Sequence, residues 1–280
     1  MLLSYYKPDF RFIELSTGIK MRYARLGNPG GIPIVLIHGA TDSYYSYSQT
    51  AAYLADKNYD VYIPELRGHG GTDKPDNEDY HIETHAKDVY EFMQNLELSA
   101  HLAGHSLGSF ITQELAISYP NVVRSVTLIG TGVKLAGNPT LEWLLNGDDT
   151  FPGILNFDAE VPAEFIQDWV STNNSDVSFA AHIYDHACSL PLYVWTEIFK
   201  GAAQYDNSSR LNNIKIPVQI IWGTEDAFFN YNDQIQVINT LENSANINFI
   251  KKVGASHNTH WDLDNAMGIA NDIISFSSLF

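Results

Sequence analysis

Apolar and polar positions along this chain follow two periods, and the change from one to the other outlines its architecture. Residues 11–15 (RFIEL) and 20–25 (KMRYAR) alternate in and out on either side of a Ser16-Thr17-Gly18 turn, which predicts a hairpin. After a break at 28–31 (NPGG), the run IPIVLI at 32–37 is apolar throughout. A strand of that kind is covered on both faces, as in a mostly parallel sheet. A helix is expected over 46–57, with Tyr47, Ala51 and Leu54 at helical spacing, then a strand over 60–64 and a helix over 81–96. A short strand at 99–103, a helix at 110–117 that stops before Pro120, and a strand at 124–130 continue the series. Strands alternating with helices imply right-handed crossovers and a sheet with helices on both faces.

From about Val133 to Arg210 the rhythm stops, and the segment reads as helices and loops without a convincing strand. Helices are expected at 162–170, opened by Pro162, and at 192–203. The segment is rich in aromatics, among them Trp143, Phe151, Phe157, Phe165, Trp169, Phe179, Tyr184, Tyr193, Trp195, Phe199 and Tyr205. Most are assigned to packing against the main body, with a few available to face an apolar ligand. The β rhythm resumes at 216–223, followed by a helix at 232–241 and a last strand at 247–253. The expected organisation is therefore a core of residues 1–132 and 211–280, interrupted by a helical cap over 133–210.

Composition narrows the partners. With 33 acidic against 16 basic residues the formal charge is −17, which repels nucleic acid and anionic lipid surfaces. No run of about 18 apolar residues suggests a membrane span, and residues 1–8 lack a basic region followed by an apolar stretch, so a cytoplasmic location is expected. Cys188, the single cysteine among 280 residues, cannot form an internal disulfide and reads as a buried or half-buried apolar filler. A monomer or a homodimer acting on a small molecule is expected.

The chemistry centres on residues 103–108 (AGHSLG), where a strand hands over to a helix and a serine stands between two glycines. A turn this tight forces Ser106 into a sparsely populated backbone conformation, and Gly104 and Gly108 let neighbouring chain approach. A serine hydroxyl needs a base and a group to hold that base. Loops after parallel strands converge on one edge of the sheet, so the acid and the base are sought there. Asp226 and His257 lie in two such loops, in the chain order Ser106, Asp226, His257. Glu225 and His260 are the adjoining alternatives. Asp226 is preferred because it follows Gly223 at a Gly-x-x-Asp spacing, and His257 because it comes directly after the last strand. Two oxyanion donors are expected from backbone N–H groups, that of Leu107 at the start of a helix and that of Ala40 after His38-Gly39. The pairs His182/His186 and His81/His85 have helical metal spacing but lack a third ligand, and no metal site is expected.

Together, His38-Gly39, Arg67-Gly68-His69-Gly70, Gly104-His105-Ser106-Leu107-Gly108, Gly223-Thr224-Glu225-Asp226 and Gly254-Ala255-Ser256-His257 resemble the α/β-hydrolase superfamily, in particular its esterase-like members with a helical cap. The resemblance implies an α/β fold with an eight-stranded, mostly parallel sheet, hydrolytic chemistry and no cofactor. Epoxide hydrolases and haloalkane dehalogenases of this fold carry an aspartate at the elbow, where this chain has Ser106. Glu65 departs from the aspartate common at its position and is read as structural. The expected activity is cleavage of a carboxylic ester, thioester or lactone through an acyl-enzyme. A receptor-like binding protein of the same fold and a cofactor-free perhydrolase are the alternatives.

Overall fold

A computed structural model describes residues 7–76, 79–171 and 175–280; the N-terminal stretch read above for a targeting signal lies largely outside them. Eight strands form one sheet: β1 (Asp9–Glu14), β2 (Lys20–Gly27), β3 (Ile32–Ile37), β4 (Tyr59–Pro64), β5 (Ala100–His105), β6 (Val123–Ile129), β7 (Val218–Gly223) and β8 (Ile247–Lys252). Their order is β1-β2-β4-β3-β5-β6-β7-β8, with β2 antiparallel to both neighbours and all other pairs parallel. The eight-stranded α/β fold expected from the sequence is the fold observed.

The unbroken apolar run of β3 has a direct physical reading. Val35 and Ile37 enter one core cluster with α2 (Ile82–Asn95) and α3 (Leu107–Ser118), whereas Ile34 and Leu36 enter another with α1 (Ser48–Asp56). Successive side chains of a strand leave opposite faces, so a strand covered on both sides must be apolar at each position. Edge strands differ. β1 is almost wholly exposed and reads DFRFIE, with polar residues interspersed among apolar ones.

The chain runs from β3 to β4 on one side and returns to β5 on the other, so a topological switch point lies between β3 and β5. In open α/β sheets the crevice at such a point, beyond the carboxyl ends of the strands, is where ligands bind. Both Ala40, after β3, and Ser106, after β5, sit there.

Between β6 and β7 lie α4 (Pro139–Asn146), α5 (Ala163–Trp169), α6 (Val177–Cys188) and α7 (Leu192–Ala203). The two ends of this insertion are tied together: Lys134 and Asp206 form an antiparallel bridge, and the Leu135 N–H donates to the Tyr205 carbonyl at 3.0 Å. Periodicity marks α5 and α7 but not α4 or α6. Nor does periodicity mark α9, the C-terminal helix after α8 (Tyr231–Thr240), which runs over Leu263–Ser277 and packs Ile269, Ala270 and Ile273 beside α1. The reading of Cys188 as a filler is corrected, because the residue is exposed. α6 buries Phe179, Ile183 and Ala187, four apart, and Cys188 stands about 100° round the helix from that stripe. Among the described residues no helix is long and apolar enough to cross a membrane.

Candidate active site

Ser106 occupies the hinge between β5 and α3 with φ 50° and ψ −120°, a left-handed conformation that is costly for a residue with a Cβ. Its N–H continues the sheet by donating to the Ile129 carbonyl at 2.9 Å. The flanking glycines are required by contact. A Cβ on Gly104 would overlap the Gly108 carbonyl and Thr112, and one on Gly108 would overlap the carbonyls of Ile37 and His38. Gly108→Ala is therefore expected to push α3 away from the β3 loop. Such an overlap with rigid backbone costs about 3 kcal/mol or more, lowering Tm by roughly 6–12 °C in a chain of this size, as calorimetric melting would register.

His257 follows β8 and reaches Ser106 across the sheet edge, its Nε2 lying 2.9 Å from Ser106 Oγ. Its Nδ1 is 2.9 and 3.0 Å from the two carboxylate oxygens of Asp226. Because an ionised carboxylate can only accept, Nδ1 carries the hydrogen and Nε2 presents its lone pair to the serine hydroxyl. The Asp226 side chain is fully buried, and its Oδ1 also accepts the N–H groups of Phe228 and Phe229 at 2.8 and 3.1 Å. These bonds set its direction.

The sequence neighbours that competed for these places go elsewhere. Glu225 is exposed at the cavity mouth, its N–H bound to the Ala255 carbonyl at 2.9 Å. His260 is buried between Tyr47 and His105, with ring centroids 4.5 Å from each. The helical histidine pairs are likewise engaged: His182 stacks on Tyr45, and His85 is buried near Tyr80.

Gly130, in the loop after β6, borders the candidate site with no signal in the local sequence to mark it. A Cβ there would come within 3.0 Å of the His257 ring, so a glycine leaves the imidazole room to lie flat between Asp226 and Ser106.

The two expected oxyanion donors lie along the same cavity. Leu107 is the first residue of α3, where an N–H has no intrahelical acceptor. Ala40 is held by its loop. The Leu66 N–H donates to His38 Nε2 at 3.1 Å and His38 Nδ1–H donates to the Gly39 carbonyl at 2.8 Å, leaving the side chain wholly engaged in structure. Burial lowers this imidazole to about 4, which keeps it neutral and able to play both parts. Glu65 is completely buried in a two-pronged ion pair with Arg22, at 2.6 and 2.8 Å, and accepts the Gly71 N–H at 2.7 Å. It fastens the glycine-rich loop beneath His38.

Ser106 and His257 open onto a cavity of about 220 Å³. Leu135, Leu141, Trp169 and Phe199 from the insertion wall it, with Phe228, Phe229 and Trp261 from the core. Its acidic lining residues are Asp42 and Glu225; among the described residues no lysine or arginine faces it. Burial pushes the Asp42 carboxyl up to about 8, so it is largely protonated at neutral pH.

Comparison with known proteins gives concordant matches. A sequence profile of the α/β hydrolase fold matches residues 32–264. Lipase 1 of Psychrobacter immobilis is 27% identical over 266 residues, spanning 88% of this chain and 78% of the lipase. Lipase 3 of a Moraxella strain is 28% identical over 238 residues, spanning 78% of this chain and 70% of its own. Among solved structures, a hydrolase from Pseudomonas aeruginosa superimposes with a TM-score of 0.81 over 96% of this chain and 98% of its own, at 17% identity, a likeness of fold.

Proposed function

This chain belongs to the α/β hydrolase fold family, and from that premise we propose that it is a serine hydrolase cleaving small, uncharged carboxylic esters through an acyl-enzyme. The observation that carries the reading is the 2.9 Å approach of Ser106 Oγ to His257 Nε2, with Nδ1 held by buried Asp226, at the wall of a largely apolar cavity. Ser106 attacks the carbonyl while His257 Nε2 takes its proton. Asp226 holds the ring and stabilises the imidazolium, and the N–H groups of Ala40 and Leu107 receive the oxyanion. The imidazolium then protonates the leaving alcohol. Water repeats the steps on the acyl-serine and restores the enzyme. The 133–210 insertion acts as the cap, supplying the apolar wall that holds the acyl chain. The names of the two lipases above support ester cleavage by this chain.

A fluorophosphonate probe should label Ser106, and p-nitrophenyl esters should turn over continuously. A burst of nitrophenol equal to the enzyme concentration, without steady turnover, would instead indicate a receptor-like protein; no labelling would sink both readings.

The cavity also sets an expectation for substrate size and charge. At about 220 Å³ it is smaller than the roughly 300–1,000 Å³ of pockets for drug-sized ligands. Each methylene buried there gains about 0.8 kcal/mol until the space is filled. On a panel of acyl lengths, kcat/KM is expected to peak near about four to six carbons, the length that volume holds, and to fall at least about 100-fold at palmitate. An acyl chain ending in a carboxylate is expected to lose about tenfold against its methyl-terminated counterpart, since among the described residues no lysine or arginine faces it. A preference for palmitate would overturn this assignment.

A further inference from the structure

One side chain of the insertion touches three parts of the site. The indole Nε1–H of Trp169, at the end of α5, donates to Thr41 Oγ1 at 2.9 Å. Thr41 follows Ala40 directly, and its backbone is held at φ 63°, a left-handed conformation that a β-branched residue reaches only under constraint. The constraint comes from both sides. The Thr41 N–H donates to His69 Nε2 at 3.0 Å, while His69 Nδ1–H donates to the Arg67 carbonyl at 2.8 Å. Burial holds His69 well below the ordinary imidazole range, so Nε2 stays an acceptor. The same indole meets Phe228 edge-on at 6.1 Å, and Phe228 lies 4.6 Å from the His257 ring. Trp169 also lines the cavity.

Resting on the serine-hydrolase reading, we propose that Trp169 is a positioning residue whose hydrogen bond to Thr41 makes the oxyanion donor at Ala40 depend on the insertion being closed over the cavity. With the indole in place, Thr41 is pinned between Trp169 and His69, which fixes the Ala40–Thr41 peptide and, through Ala40, the angle of the Gly39–Ala40 peptide that carries the Ala40 N–H. Lifting α5 breaks the bond, frees Thr41 to leave its strained conformation and turns that N–H from the reacting carbonyl. Acyl transfer is then fast only when the cavity is shut and water is excluded.

The test compares Trp169→Phe, which keeps a ring but removes the donor, with Thr41→Val, which keeps the shape but removes the acceptor, and Thr41→Ser, which keeps the hydroxyl. Removing an oxyanion donor outright costs about 10²–10³ in kcat, so misaligning one is expected to cost roughly 10–30-fold. On a butyrate ester, Trp169→Phe and Thr41→Val should each lose that much kcat with KM changed less than about threefold, and phosphonylation of Ser106 should slow in parallel. The double variant should be no slower than the worse single one, because both remove the same bond. Thr41→Ser should keep at least half of wild-type kcat. Wild-type kcat in both single variants, additive losses in the double variant, or an equal loss in Thr41→Ser would overturn the proposal while leaving the hydrolase reading intact. Absence of turnover and labelling in the wild-type protein would remove that reading, and this proposal with it.

Discussion

Ser106→Ala is expected to lower kcat/KM on a short ester by about 10⁴–10⁶-fold, as nucleophile removal does in enzymes of this chemistry. The fold should survive. Alanine meets the same backbone constraint at φ 50° as serine, and only the hydroxyl bond to His257, worth roughly 1 kcal/mol, is lost. Tm should therefore stay within about 4 °C of wild type. Ser106→Gly separates the two roles further. Glycine adopts positive φ without a Cβ clash, so this variant should be equally inactive yet melt a few degrees above Ser106→Ala. Because Ser106 and His257 act as a unit, adding His257→Ala to Ser106→Ala should cost little more. Ester turnover by Ser106→Ala above about one percent of wild type would end the proposal that this serine is the nucleophile.

Acid is expected to unfold the protein between about pH 6 and 4. Burial lowers the imidazoles of His38 and His101 to about 4 and that of His260 to about 3, and holds His69, His85 and His105 well below the ordinary value. The sign follows from the direction of these shifts. Above about pH 6.5 the rings are neutral in both folded and unfolded chains, so they impose no penalty. Below it the unfolded chain binds protons that the folded chain refuses, and stability falls until each folded value is reached. Each such ring removes about 1.4 kcal/mol per pH unit, and several acting together consume a stability of roughly 5–15 kcal/mol within one or two units. Asp42 works in the opposite direction. Its carboxyl is raised, so its contribution is full below its ordinary value near 3.8 and is lost as pH rises towards about 8. One group does not offset six. Melting followed by circular dichroism should show Tm at pH 5 at least about 10 °C below that at pH 7.5. His260→Phe, which keeps a ring between Tyr47 and His105, should move the acid midpoint downward. A Tm unchanged between pH 7.5 and 5 would contradict the account.

Particular residues show why some of this was readable and some was not. The strands β3 and β7 announce themselves because burial on two faces demands apolar side chains at nearly every position, a demand written in consecutive residues. The elbow is legible because the clashes that forbid a Cβ at Gly104 and Gly108 fall two positions either side of Ser106. α9 escaped notice. Its apolar stripe is short and bounded by polar residues, and only its partner α1, more than two hundred residues earlier, gives that stripe meaning. The role of Gly130 and the Trp169–Thr41 bond, which spans 128 positions, have no local signature at all.

By itself, then, the order of amino acids determined the alternation of strand and helix, the strained serine at the end of β5, and the succession of serine, acid and histidine in loops on one sheet edge. Those features follow from local sterics and from the periodicity of burial. Only the tertiary structure decided that Asp226 turns inward while Glu225 turns out, that His257 faces Ser106 while His260 is buried beside His105, and that insertion and core share one cavity wall. Neighbouring residues on a turn differ in direction by the geometry of that turn, and a cavity wall is made by elements far apart in the chain, so both are settled by packing.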